Sequence, residues 1–126
     1  MDIIGLGMDA TEIPRVRVVL SRYGDRFLHR VFTDAEIAYC MRHRDPVPSL
    51  AARFAAKEAA MKALGTGRSR GVLWKDIEVV RQRGHAPQLR LTGGALRRFQ
   101  TVEARGTLVT ISHSRELALA QVLLLA

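Results

Sequence analysis

An α+β domain, with a small, mainly antiparallel sheet packed against one long helix, is what the order of elements in this sequence predicts. Three observations carry that reading. Apolar runs near both ends of the chain, Ile3 to Met8 and Leu117 to Leu125, have strand length and composition. Between them, Arg53 to Leu64 is an almost unbroken run of strong helix formers closed by Gly65. Turn residues Gly84-His85-Ala86-Pro87 and His113-Ser114-Arg115-Glu116 each separate two strand-like runs, which predicts two hairpins. No repeat, linker or low-complexity stretch divides the chain, so residues 1–126 are expected to form one domain.

Taken in order, residues 3–9 predict a buried strand carrying two glycines. Thr11 is placed to cap a helix with Glu12 and Pro14 in its first turn, and Val16, Val18, Val19 and Leu20 supply apolar residues. Gly24 breaks it, and a short helix follows through Phe27, Leu28, Val31 and Phe32. Thr33-Asp34-Ala35-Glu36 has the capping-box pattern, which opens a third helix. His43 to Pro48 reads as a loop, and Pro48 or Ser49 starts the long helix to Leu64. Trp74 to Val80 and Gln88 to Leu91 are expected to pair; Thr92 caps a helix through Leu96 and Phe99; Thr107–Ser112 and Leu117–Leu125 form the last hairpin.

A formal net charge of +8 predicts an anionic partner: a nucleic acid, an acidic protein or a phosphorylated small molecule. Hydrophobic residues make up 48% of the chain, which excludes disorder, and no apolar run is long enough to span a bilayer. The start Met1-Asp2 lacks the basic region of a secretory signal, and the single Cys40 has no partner for an internal disulfide, so a reducing cytoplasm is the expected setting.

Chemistry concentrates on the long helix. Glu58 and Lys62 stand one turn apart on one face, with Met61 and Gly65 close by. Two of the three lysines in the chain, Lys57 and Lys62, lie in this segment. Gly5-Leu6-Gly7-Met8-Asp9 delivers a second carboxylate from a strand end. Two carboxylates and a lysine suit magnesium-assisted chemistry on a phosphate ester. The same Glu58 and Lys62 are equally an ordinary i,i+4 surface pair. The loop Gly65 to Gly71 holds three glycines and two arginines, a composition that suits either a phosphate cradle or a plain surface loop.

Other patterns point nowhere. Gly5-Leu6-Gly7-Met8-Asp9-Ala10 matches the loose dinucleotide fingerprint, yet several helices precede the next strand, so its glycines are better read as allowing close packing or aiming Asp9. His29, His43, His85 and His113 lack metal-ligand spacing. His113 ends an apolar strand, where it faces either a cleft or a structural partner, and Ser114 beside it has no third group to complete a triad.

Gly7-Met8-Asp9 followed by Phe54-Ala55-Ala56-Lys57-Glu58-Ala59-Ala60-Met61-Lys62 forms a paired signature, G-x-D and W/F-x-x-K-E-[SA]-x-x-K. Trp74-Lys75-Asp76-Ile77-Glu78-Val79 and Ile111-Ser112-His113-Ser114 extend it along essentially the whole chain. With these residues the sequence resembles the small holo-[acyl-carrier-protein] synthases of the 4′-phosphopantetheinyl transferase superfamily. The resemblance implies transfer of 4′-phosphopantetheine from coenzyme A to a serine of an apo acyl carrier protein, in fatty-acid or related acyl biosynthesis. It implies Mg²⁺ on Asp9 and Glu58, catalysis by Glu58 and Lys62, and coenzyme A contacts from Arg53, Lys57, Lys62, Gly65 and His113. It also implies an acidic carrier protein docked on Arg15 and Arg22, and a homotrimer with sites between subunits. The hairpin turn departs from the family's usual G-K/R-P. A basic nucleic-acid-binding domain is the alternative; it accounts for the charge but gives Asp9 and Glu58 no task, and aromatic residues are only 6%.

Overall fold

The structure, a computed structural model, describes residues 1–126. Strand β1 (Ile3–Glu12) is followed by helices α1 (Ile13–Tyr23), α2 (Asp25–Val31), α3 (Asp34–Met41) and α4 (Val47–Leu64). A turn of 3-10 helix (Trp74–Asp76) then leads into β2 (Ile77–Val80), β3 (Gln88–Leu91), α5 (Gly93–Thr101), β4 (Gly106–His113) and β5 (Leu117–Leu125). The chain ends pair in a three-stranded antiparallel sheet of order β1-β5-β4, and β2-β3 is a separate antiparallel hairpin. The expected α+β class holds, with the sheet divided in two.

Helix α4 is the axis of the fold. It is buried nearly all round, from Leu50, Ala51 and Ala55 to Met61 and Leu64. Alternation along β5 turns Ala118, Ala120, Val122 and Leu124 toward it. β1 approaches still more closely, because it presents Gly5 and Gly7 on that face. A Cβ on Gly7 would collide with the Ala59 carbonyl oxygen and lie 2.7 Å from the Ala63 nitrogen. Gly5 meets the Ala63 carbonyl in the same way. The glycines therefore serve close packing, as expected, and not a dinucleotide loop. The last turn of α4 ends at Gly65, whose φ of 74° is the left-handed cap that glycine takes without strain.

The expected burial of strand 3–9 fails on one face, where Leu6 and Met8 are exposed, and two expectations about element bounds are corrected as well. β1 runs on to Glu12 because Ala10, Thr11 and Glu12 pair with Leu119, Ala118 and Leu117. Thr11 thus does not cap α1; Glu12 is the cap residue, without a side-chain bond, and the Thr11 hydroxyl donates to Asp9 Oδ2 at 3.0 Å. Trp74–Asp76 is a helical turn and not the start of a strand, since the Asp76 carboxylate accepts from the Leu73 and Gly94 backbone N–H groups. The capping box is as read: Thr33 Oγ1 accepts from the Glu36 N–H, and Glu36 Oε1 accepts from the Thr33 N–H.

The face of the terminal sheet turned away from α4 is bare. It presents Leu6 and Met8 of β1, 58% and 64% exposed, together with Leu108, Leu117 and Leu119. A contiguous apolar patch of this kind marks a contact surface. No helix is long and apolar enough to cross a membrane.

Candidate active site

Asp9 lies on the α4-facing side of β1, where the glycines before it have brought strand and helix backbones together. Lys62, in the last turn of α4, crosses that gap. Its Nζ donates to Asp9 Oδ1 at 3.1 Å and to the Met8 carbonyl at 3.0 Å. The Thr11 hydroxyl holds the other carboxylate oxygen of Asp9. Glu58 stands one turn back on α4, and its carboxylate makes no hydrogen bond or ion pair. Asp9 and Glu58 open onto one cavity of about 350 Å³, whose apolar wall includes Val19, Phe27 and Phe54 and whose rim carries Arg15. Lys62 thus pairs with the strand carboxylate, not with Glu58, and the simple surface-pair reading of the helix is set aside.

Burial first, and then the neighbouring charge of Asp9, push the Glu58 carboxyl above its ordinary range; Lys62 and Arg68 act in the opposite sense. Two carboxylates that open onto one half-buried cavity are complementary to a cation. No group of three or more His, Cys, Asp or Glu side chains is clustered anywhere in the chain. Two carboxylates without nitrogen or sulfur donors fit Mg²⁺, a hard ion that takes one or two protein carboxylates and completes its shell with water and phosphate oxygens. The residues present fit that ion.

The remaining expected residues are placed unequally. Arg15 reaches the cavity, and Arg22, two turns further along α1, is exposed on the same helical face. Gly65 follows α4 at the exposed loop. Arg53 is turned to the other side of α4: its guanidinium lies 4.1 Å from the Tyr39 ring centroid and donates to Ser49 Oγ, while its buried Nε finds no partner. His113 ends β4, exposed and separated from β1 by the whole of β5, about 10 Å across two strand spacings. Within one chain neither Arg53 nor His113 joins the cavity.

Lys57 is a correction. It has no exposed surface; its Nζ donates to Glu36 Oε1 at 2.7 Å and to the carbonyl oxygens of Trp74 and Ile77. All three ammonium protons are used inside the core, so it is not a coenzyme A contact. Burial pulls the Lys57 ammonium below its ordinary value, and the charge of Glu36 resists. The second oxygen of Glu36 accepts from the Val79 N–H, which ties α3, α4 and β2 through one carboxylate. Sequence reasoning missed the apolar wall and this tie. Phe27 and Phe54 were visible as apolar residues, but no local pattern says which cavity they line.

An α+β domain with two carboxylates, one of them without a partner, a lysine and a basic rim over one cavity defines a class: an enzyme site for a phosphorylated substrate. Comparison with known proteins narrows the class. A profile of the 4′-phosphopantetheinyl transferase superfamily matches residues 5–121, and the chain belongs to that family. It is 46% identical over 122 residues to the holo-[acyl-carrier-protein] synthase of Koribacter versatilis, covering 97% of this chain and 98% of that protein. The fold matches the crystal structure of holo-[acyl-carrier-protein] synthase from Neisseria meningitidis with a TM-score of 0.90 at 26% identity, over 99% of this chain and 100% of that one. It also matches the Helicobacter pylori holo-[acyl-carrier-protein] synthase in complex with coenzyme A, with a TM-score of 0.83 at 28% identity, covering 94% of this chain and 98% of that one.

Proposed function

We propose that this protein transfers the 4′-phosphopantetheine group of coenzyme A to a serine hydroxyl of an apo acyl carrier protein of fatty-acid or related acyl synthesis. The serine oxygen bonds to the β-phosphorus, the bond from that phosphorus to the bridging oxygen breaks, and 3′,5′-ADP leaves with the bridging oxygen. The observation that carries the reading is the joint opening of Asp9 and Glu58 onto one cavity beside Lys62, in a chain of this family. Asp9 and Glu58 would hold Mg²⁺, which supplies Lewis-acid stabilisation of the pyrophosphate charge. Lys62 orients Asp9 in the free protein and is within reach of phosphate oxygens at the same mouth. Phe27, Val19 and Phe54 exclude water from one side of the cavity. Glu58, at the cavity and without a hydrogen-bond partner, is the residue we assign to accept the serine proton.

The partner surface we assign is the exposed face of α1, where Arg15 at the cavity rim and Arg22 offer positive charge to an acidic carrier protein. The assembly we assign is a homotrimer, formed by burying the bare sheet face of Leu6, Met8, Leu108, Leu117 and Leu119 between copies. In that assembly the exposed His113 would act on a neighbour's site, whereas Arg53 is held inside its own chain. The setting is the cytoplasm, in keeping with a free, buried Cys40. A basic nucleic-acid-binding module explains the charge alone and leaves the acidic cavity without a role.

The test is intact-mass spectrometry of apo acyl carrier protein incubated with this protein, coenzyme A and Mg²⁺. The expected result is a mass gain of one phosphopantetheine on the serine, absent with EDTA and restored by excess Mg²⁺. No mass gain, with salt-sensitive binding to DNA instead, overturns the reading. Sedimentation velocity reads the assembly: wild type as a trimer, Leu119→Glu as a monomer.

A further inference from the structure

We infer that Arg68 is a further substrate-contacting residue, its guanidinium fixed on the Trp74 ring so that its free edge grips the pyrophosphate of coenzyme A. The inference rests on the reading of the cavity as a coenzyme A site.

The geometry is a three-layer stack. Phe54 lines the cavity one turn before Glu58. Trp74 stacks on Phe54, with ring centroids 5.0 Å apart and planes at 29°. The Arg68 guanidinium carbon lies 4.8 Å from the Trp74 ring centroid. Trp74 is only 8% exposed, so the platform under Arg68 belongs to the core and does not move with the loop. A stacked guanidinium is held through its face, and this leaves its edge N–H groups pointing outward.

Those donors are unused. Arg17 spends its fork on Asp45, Arg90 donates to Glu78, and Arg98 donates to the Leu64 carbonyl. Arg68 makes no hydrogen bond and no ion pair, although it lies near enough to Glu58 for its charge to act on that carboxyl. A planar fork of free donors beside a site built for phosphate matches the bidentate geometry of phosphate oxygens. Lys62, already bound to Asp9, approaches the cavity from the end of α4, and Arg68 adds a second fixed positive charge from the loop. Arg70, with a strained backbone at φ 60° and no such stack, has no comparable platform.

The test uses the full-length protein and its Arg68→Gln and Arg68→Lys variants. Calorimetric titration with coenzyme A and with dephospho-coenzyme A is paired with steady-state transfer to apo carrier protein. Arg68→Gln should weaken both ligands by about tenfold, since both carry the pyrophosphate. Its carrier-protein KM and thermal midpoint should stay at wild-type values. Arg68→Lys, which keeps charge but loses the planar fork and the stack, should recover only part of the affinity. Unchanged coenzyme A affinity in Arg68→Gln overturns the inference, and so does a loss confined to coenzyme A, which would assign Arg68 to the 3′-phosphate. A wild type that binds neither ligand overturns the coenzyme A reading itself, a result distinct from either.

Discussion

Lys57 Nζ and Glu36 Oε1 lie 2.7 Å apart, and neither side chain has any exposed surface. Each charge is held by more than its partner. The ammonium also donates to two backbone carbonyls, and the carboxylate accepts from the Thr33 and Val79 N–H groups. This tie joins α3 and β2 to α4 one residue before Glu58, so it sets how α4 sits against the rest of the domain.

Removing one member should therefore be worse than removing both charges. Lys57→Met is expected to lower stability by about 3–5 kcal/mol in chemical denaturation, because Glu36 is left as a buried, uncompensated charge. Adding Glu36→Gln should recover more than half of that loss, since the amide oxygen still accepts backbone N–H groups without a charge. A double variant as unstable as the sum of the single ones would mean that the two residues act independently.

Glu58 carries a stability signature of its own. Its carboxyl is raised in the folded state from the ordinary 4.5 by burial and by Asp9. A raised carboxyl binds more protons folded than unfolded, so its contribution is favourable at low pH. That contribution is lost as pH rises from 4.5 through the raised value. Near neutral pH the ionised group opposes folding. Glu58→Gln should thus raise the metal-free thermal midpoint at pH 7, and by less at pH 4, while transfer is abolished. Mg²⁺ should raise the midpoint of the wild type and not that of Glu58→Gln. Near-normal turnover in Glu58→Gln would remove Glu58 from the ligand set.

Lys62 separates chemistry from packing. Its bond to Asp9 is solvent-exposed, so as a structural link it contributes under about 1 kcal/mol. As a phosphate-facing charge its loss should lower turnover on the order of 10²-fold. Lys62→Ala is therefore expected to keep the wild-type melting behaviour and lose rate. Unchanged turnover would leave Lys62 as an orienting partner of Asp9 only.

Elements defined by local pattern were legible in the sequence: the run that becomes α4, its Gly65 stop, the Thr33-Glu36 box and the closing hairpin. The acidic pair was legible because a short motif carries each carboxylate. What escaped depends on contacts distant in sequence. The last residues of β1 are strand because β5, more than a hundred positions away, pairs with them. Lys57 reads as a surface base beside Glu58, yet a helix buried nearly all round has no solvated side at that position, and the free carbonyls of Trp74 and Ile77 exist only once β2 is packed. The Phe54-Trp74-Arg68 stack likewise joins residues whose neighbourhood no spacing rule describes.

The basic face of α1 offers the sharpest separation of the two substrates. Arg15 stands at the rim of the acidic cavity and Arg22 lies two turns away on the same face, while Arg17 is neutralised by Asp45 at 2.7 Å. Charge on an exposed docking face acts mainly on association and is screened by salt. Arg15→Glu with Arg22→Glu should raise the carrier-protein KM at least tenfold and leave the coenzyme A KM within about twofold. Arg17→Glu, which removes a charge already paired, should change the carrier-protein KM less. In the wild type the carrier-protein KM should rise with salt, and in the doubly reversed variant that salt dependence should flatten or invert, because the attractive field is gone. Equal loss on both substrates would mean that Arg15 and Arg22 serve coenzyme A or the fold, and would place the carrier protein on another face.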